Sequence, residues 1–306
     1  MNGVLLRCRF RKIKASPLLN EDFKLNLLYC NSTLKNTDRR KIDPMIKKKY
    51  FVIPILAIAL HFLLSNLLYF LVERLVLDVF HIPSQQFMKH SYWGEILIYS
   101  VLILVFFTLY KLLWRKEVRE SRTMTNFKDV LGSLVVGFGI CGISGLWIML
   151  AEQLPSLQKS VEAMNAGAEN IAGGNAFGTF MIAVIAAPVV EEILFRGIVL
   201  RSMRKFTPAW AAILISSVLF GVYHLNIVQA AYATLMGIAA GILYEKKRNL
   251  LFPILVHFAN NLITMLQGFA PSEVNELISI FILIMIAPAG YIVCHSLRQD
   301  KRADSM

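Results

Sequence analysis

The chain has 306 residues, 56% of them hydrophobic, and a mean hydropathy of +0.56, with the apolar residues in long blocks, which excludes an ordinary soluble domain and indicates a polytopic membrane protein. The formal net charge of +12 is read as basic loops on the cytoplasmic side of a membrane rather than as a nucleic-acid interface. The four cysteines, Cys8, Cys30, Cys141 and Cys294, have no paired or metal-type spacing and argue for neither a disulfide framework nor a cysteine zinc site.

Residues 1–44 are polar and basic and contain no apolar run, so they lack the apolar segment of a signal peptide. They are expected to be a disordered tail or an over-called start, because Met45-Ile-Lys-Lys-Lys-Tyr50 leads directly into the first apolar run. Eight such runs follow: 51–72, 96–113, 130–151, 176–200, 210–223, 227–244, 250–266 and 277–294. Several are shorter than the ~20 residues of a perpendicular span. The fifth to seventh are so close in sequence that they are expected to form tight helical hairpins. The 152–175 connection, with Pro155 and Gly173-Gly174, is long enough for a short amphipathic helix on the outer surface.

Basic residues alternate between connections. Lys47, Lys48 and Lys49 precede the first run, and Lys111, Arg115, Lys116, Arg119, Arg122 and Lys128 surround the second connection. Arg201, Arg204 and Lys205 follow the fourth run, Lys246, Lys247 and Arg248 the sixth, and Arg298, Lys301 and Arg302 the eighth. The intervening connections are poorer in Lys and Arg. The expected fold is therefore all-α, a bundle of about eight transmembrane helices with both termini cytoplasmic. The bundle domain is expected over 45–297, with 298–306 as a cytoplasmic tail. Glycines at 132, 137, 139, 142 and 145, and Gly237-Ile-Ala-Ala-Gly241, let helices pack closely in lipid.

The fourth run is unusual because it contains Pro188-Val-Val-Glu-Glu-Ile-Leu-Phe-Arg-Gly197. A charge at membrane depth is costly and marks a functional site by default. Glu192 and Arg196 are four apart and can pair along one helix face. Glu191 points about 100° away and must find its partner, or its chemistry, elsewhere in the bundle. His224 closes Phe220-Gly-Val-Tyr-His224, and His257 and Asn261 share one face of His257-Phe-Ala-Asn-Asn261. Taken singly, each is also the kind of residue that hydrogen-bonds one helix to another. His61 and Asn66 in the first run lack such company and read as structural.

Glu-Glu-x-x-x-Arg, Phe-x-x-x-His and His-x-x-x-Asn, in this order on successive apolar runs, resemble the CPBP family of intramembrane proteases. That family includes the type-2 CAAX prenyl endopeptidases and the bacteriocin-processing and self-immunity (Abi) proteins. The matched region covers about 176–266. The resemblance implies a multi-pass integral protein, expected in the cell membrane, that hydrolyses a peptide bond in a membrane-bound or prenylated protein or peptide. Its partners are then the lipid bilayer and that substrate, with no nucleic acid.

Peptide hydrolysis needs an activated water and donors for the developing oxyanion. Glu191 suits the base, with His224 orienting the same water, and His257 and Asn261 suit the oxyanion. Glu192 and Arg196 support the site. Glu191, His224 and His257 are equally the donor types of a catalytic Zn²⁺ site, although no His-Glu-x-x-His is present; the metal-free version is the reading adopted. A non-catalytic self-immunity or scaffold protein of the same fold is the alternative. A transporter is a third reading, without the inverted repeats that would support it. Helix counting places Glu191 and His257 in the cytoplasmic half, so the site cavity is expected to open there. The same count puts His224 nearer the outer face, unless the fifth helix is tilted or starts later than Pro208.

Overall fold

The computed structural model describes residues 44–81, 84–115, 125–170 and 175–303. The expectations for residues 1–43, for Lys116, Arg119 and Arg122, and for Gly173-Gly174 lie outside the described residues. Among the described residues the chain is all helical, with nine helices and no strand. The described part of residues 1–46 is the first turn of α1; residues 47–306 form a compact unit of their own.

Helix α1 (Pro44–Arg74) continues into a wide turn, Leu75–Val79. It is followed by α2 (Ser84–Leu113), α3 (Phe127–Glu152) and the short α4 (Gln158–Asn170). Next comes α5, over residues 176–203, in which wide i→i+5 turns, Phe180–Ala186 and Ile193–Leu200, flank the α-helical Ala187–Glu192. The bundle is completed by α6 (Ala209–Tyr223), α7 (Ile227–Lys247), α8 (Leu251–Phe269) and α9 (Ser272–Ala303). The eight apolar runs thus each become a helix, and α4 is the short helix expected in the 152–175 connection. The last helix runs on to Ala303, so that residues 298–303 continue α9.

Among the described residues, five helices can cross a membrane by length and composition: parts of α1, α2 and α9, and α3 and α7. The chain is an integral membrane protein. The three helices that fall short carry the polar motifs. Wide turns and charges interrupt α5, polar His257, Asn260 and Asn261 interrupt α8, and α6 has only 15 residues. Its Trp210, Leu214, Val218 and Val222, spaced by four, remain exposed as one apolar stripe, the face such a helix turns to lipid.

Local chemistry sets the helix starts. Asn126, Asn175 and Asn226 each accept a hydrogen bond from a first-turn amide, those of Lys128, Gly178 and Gln229, satisfying donors that a helix start leaves open. Asn226 also donates to the Ser160 carbonyl at 2.8 Å, fixing α4 to the α6–α7 turn. Close packing follows the glycines of α3. A Cβ at Gly142 would lie 2.5 Å from the Ile282 carbonyl of α9, and one at Gly137 would strike Val256 and Ala259 of α8. These contacts fix α8, and with it His257 and Asn261, against α3.

The two ends of the bundle are chemically distinct. At one end, Arg201 of α5 donates to the Tyr110 hydroxyl of α2 at 3.3 Å. There Arg204 and Arg248 share Glu245, at 3.0 and 2.8 Å, and Lys247 pairs with Asp129 at 2.7 Å. At the other end, the Trp147 indole of α3 donates to the Val228 carbonyl at the start of α7, at 2.9 Å.

Candidate active site

Glu192 and Arg196 pair as their spacing requires, at 2.8 Å, with neither residue exposed at all. The guanidinium also lies over the Phe220 ring, 4.8 Å from its centroid, a contact strengthened by the exclusion of water. Phe220 is fully buried. Its ring lies 4.9 Å from that of His224, 5.7 Å from His257 and 5.0 Å from Phe195. It therefore separates the two imidazoles and walls off the ion pair.

His257 engages Glu192 as well as Arg196 does: its Nδ1 lies 3.1 Å from the same carboxylate oxygen. A carboxylate paired with arginine can only accept, so Nδ1–H donates. His257 Nε2 then faces Glu191, 3.9 Å from its Oε2. His224 behaves similarly, with Nδ1 2.9 Å from the Phe220 carbonyl, which again makes Nδ1 the donor. As neutral rings, both histidines therefore turn an Nε2 lone pair toward the cavity. This revises the expectation for His257: as a neutral imidazole it presents an acceptor, and it becomes an oxyanion donor only when protonated.

Asn261 donates to the Ala183 carbonyl at 2.8 Å. That carbonyl is free for a reason visible in the sequence. In the wide turn the Ala187 amide reaches back to Ile182 O, so in that register the next donor would be residue 188. Residue 188 is proline, which has no N–H, and the Asn261 side chain takes the vacant acceptor. Asn260, buried, donates to Asn261 Oδ1 at 3.0 Å and leaves its own Oδ1 without a partner in the described structure.

Glu191, His224, His257, Asn260 and Asn261 all line one cavity of about 340 Å³, joined by Glu95 and Tyr99 of α2. α6 begins at Ala209, directly after Pro208, and His224, which caps its end, lines the cavity with them. Sequence reasoning missed Asn260, Glu95 and Tyr99. Glu95 stands just before the second apolar run and so passes for a boundary charge; Asn260 is hidden beside the motif asparagine. His61 does have company: its Nδ1 lies 3.0 Å from the Tyr223 hydroxyl, next to His224. Asn66 bonds only its own helix, at the Phe62 carbonyl.

The cavity runs away from the end of the bundle that carries Arg201, Arg204, Lys247 and Arg248. Glu191 and His257 form its floor, and the remaining polar lining, including Gln229, Thr264 and Gln267, runs toward the opposite end. Among the described residues, no three His, Cys, Asp or Glu side chains are grouped to hold a metal ion. Glu191, His224 and His257 do not form such a group.

An all-helical membrane bundle with a carboxylate, two imidazoles and an amide around one buried cavity has the groups of a membrane-embedded hydrolase. Residues 173–263 match the family model described as Type II CAAX prenyl endopeptidase Rce1-like. Over 198 residues the chain is 27% identical to "Putative membrane peptidase YdiL" of Bacillus subtilis (strain 168), covering 62% of this chain and 77% of that protein. No solved structure matches the chain. Both matches support the resemblance to the CPBP family.

Proposed function

We propose that this protein is an endopeptidase of the cell membrane that cleaves a membrane-associated or lipid-modified protein or peptide. The supporting observation is the convergence of Glu191, His224, His257 and Asn261 on one cavity, together with the family match. Glu191 takes a proton from a water, and His224 Nε2 accepts that water's other hydrogen and orients it. The water oxygen adds to the scissile carbonyl. The second N–H of the Asn261 amide, already oriented by Ala183 and Asn260, donates to the oxyanion. Glu191 then delivers its proton to the departing amide nitrogen as the C–N bond breaks. Glu192, held between Arg196 and His257, positions the His257 ring at the floor and does not meet the substrate.

The test is a comparison of membrane-protein termini between cells carrying the wild-type chain and cells carrying Glu191→Ala at equal abundance. New termini that vanish in the variant support the peptidase. Identical termini would favour a scaffold or self-immunity role for the same fold. Retention of the cleavage by purified protein after exhaustive chelation would support the metal-free mechanism.

A further inference from the structure

His224 stands at the point where α6 ends. The next residue, Leu225, takes a left-handed φ of 55°, so the helix does not continue past the imidazole, and side chains must hold the ring. Phe220 and Tyr223 supply them. Both rings meet His224 edge to face, each at 88°, with centroids 4.9 and 5.6 Å away, inside the range of about 4.5–7 Å over which such pairs attract. Phe220 is fully buried and covered by the Arg196 guanidinium. Tyr223 is only partly buried and needs a support of its own.

That support comes from α1. The Tyr223 hydroxyl is hydrogen-bonded to His61 Nδ1 at 3.0 Å, and the Phe62 ring packs 4.9 Å from the Tyr223 ring. Ser65 Oγ lies 3.4 Å from the same nitrogen, a longer contact within α1 itself. His61 is 5% exposed and is backed by α2, where the fully buried Phe106 lies 5.4 Å from its ring. Phe106, His61, Tyr223 and His224 thus form a continuous row of rings from α2 through α1 and α6 to the cavity. A hydroxyl and an imidazole at membrane depth are costly unless paired, and each is the other's partner here. His61 and Phe106 lie outside residues 173–263, the part that matches the family model.

We infer that His61 and Tyr223 are positioning residues for His224. The bond to α1 holds the Tyr223 ring against the imidazole, which keeps Nδ1 on the Phe220 carbonyl and Nε2 toward the cavity. The inference rests on the endopeptidase reading above, in which His224 Nε2 orients the attacking water. Neither His61 nor Tyr223 is among the residues that line the cavity, so both act through the histidine. Misplacing a reacting group by about 1 Å can slow a reaction about 10²-fold, and a brace between helices therefore acts on turnover.

The test uses the full chain with three substitutions. Tyr223→Phe keeps the ring and removes the bond, His61→Phe removes the same bond from the other side, and the amide of His61→Gln can still meet the hydroxyl. The first readout is the nitrogen NMR spectrum of protein labelled at its histidine rings, in detergent, with the His224 signals identified by their absence in His224→Gln. The wild type is expected to show a fixed Nδ1–H tautomer. In both phenylalanine variants the two nitrogen signals of His224 should move toward their average, as the ring loses its single orientation, and His61→Gln should restore most of their separation. The second readout is the rate at which Glu191-dependent termini appear at equal protein abundance. It should fall about fivefold in each phenylalanine variant, the equivalent of one net hydrogen bond, and no further in the double variant. Unchanged His224 signals in Tyr223→Phe overturn the inference, as does an unchanged rate beside a cleaving wild type. If Tyr223→Phe does not accumulate, His61→Phe decides by the same two measures. If the wild type yields no Glu191-dependent termini, the endopeptidase reading fails, and the spectrum, which needs no substrate, decides the coupling alone.

Discussion

His257 Nδ1 and the Arg196 guanidinium meet the same oxygen of Glu192, at 3.1 and 2.8 Å. The second motif glutamate thus joins two helices: it neutralises the arginine of its own helix and orients the histidine of α8. The first glutamate, one residue earlier, is left facing the cavity. Two adjacent, chemically identical side chains are separated by helix geometry alone into one that braces two helices and one that faces the cavity.

Arg196→Ala should lower folded yield and thermal stability in detergent. It leaves a buried carboxylate without its cation, which typically costs about 3–5 kcal/mol. Combining it with Glu192→Gln should recover part of the loss. If the double variant unfolds no later than the single one, the two residues are not energetically coupled.

Glu191→Ala should retain the wild-type unfolding temperature, or exceed it slightly, because a buried carboxyl oxygen without a hydrogen-bond partner is removed. Its turnover should fall by about 10²–10⁴-fold, the range of a lost general base. Near wild-type turnover on a processed substrate would remove Glu191 from that role.

Pro188→Ala restores an N–H that can compete with Asn261 for the Ala183 carbonyl. One net hydrogen bond contributes about 1 kcal/mol, so kcat should drop roughly fivefold with KM little changed. Asn260→Ala, which removes the other brace on Asn261, should act in the same direction. A rise in KM with kcat unchanged would instead place this corner in substrate binding.

Gly137→Val should prevent α3 from seating against α8, because its added carbons meet the Val256 carbonyl and Ala259. Overpacking of this kind costs about 1–3 kcal/mol or more. Gly145→Ala, where a Cβ meets nothing within 4 Å, is the matched control. Equal yields of the two variants would contradict the proposed packing role of Gly137.

The helices were legible because lipid demands long apolar blocks, and the Glu192–Arg196 pair because spacing by four suffices to define it. The wide turns of α5 were not legible: nothing in Phe180–Ala186 differs from ordinary helix until Pro188 withholds its amide. The walls of the cavity were not legible for a related reason. Counting residues from a helix end gives depth, but not which neighbours fill the space on either side, and here Phe195, Tyr244 and Phe252 close one side. The tautomers of His224 and His257 depend on acceptors, Phe220 O and Glu192, whose geometry appears only in the folded chain.

The brevity of α6 has a consequence for the surrounding bilayer. Fifteen residues rise only about 22 Å, against ~30 Å of hydrocarbon, and the lipid-facing stripe from Trp210 to Val222 is correspondingly short. A short apolar wall is matched by local thinning of the membrane. The thinnest hydrocarbon then lies along the helix that ends at His224, where a reaction that consumes water needs the shortest route for water from the surface.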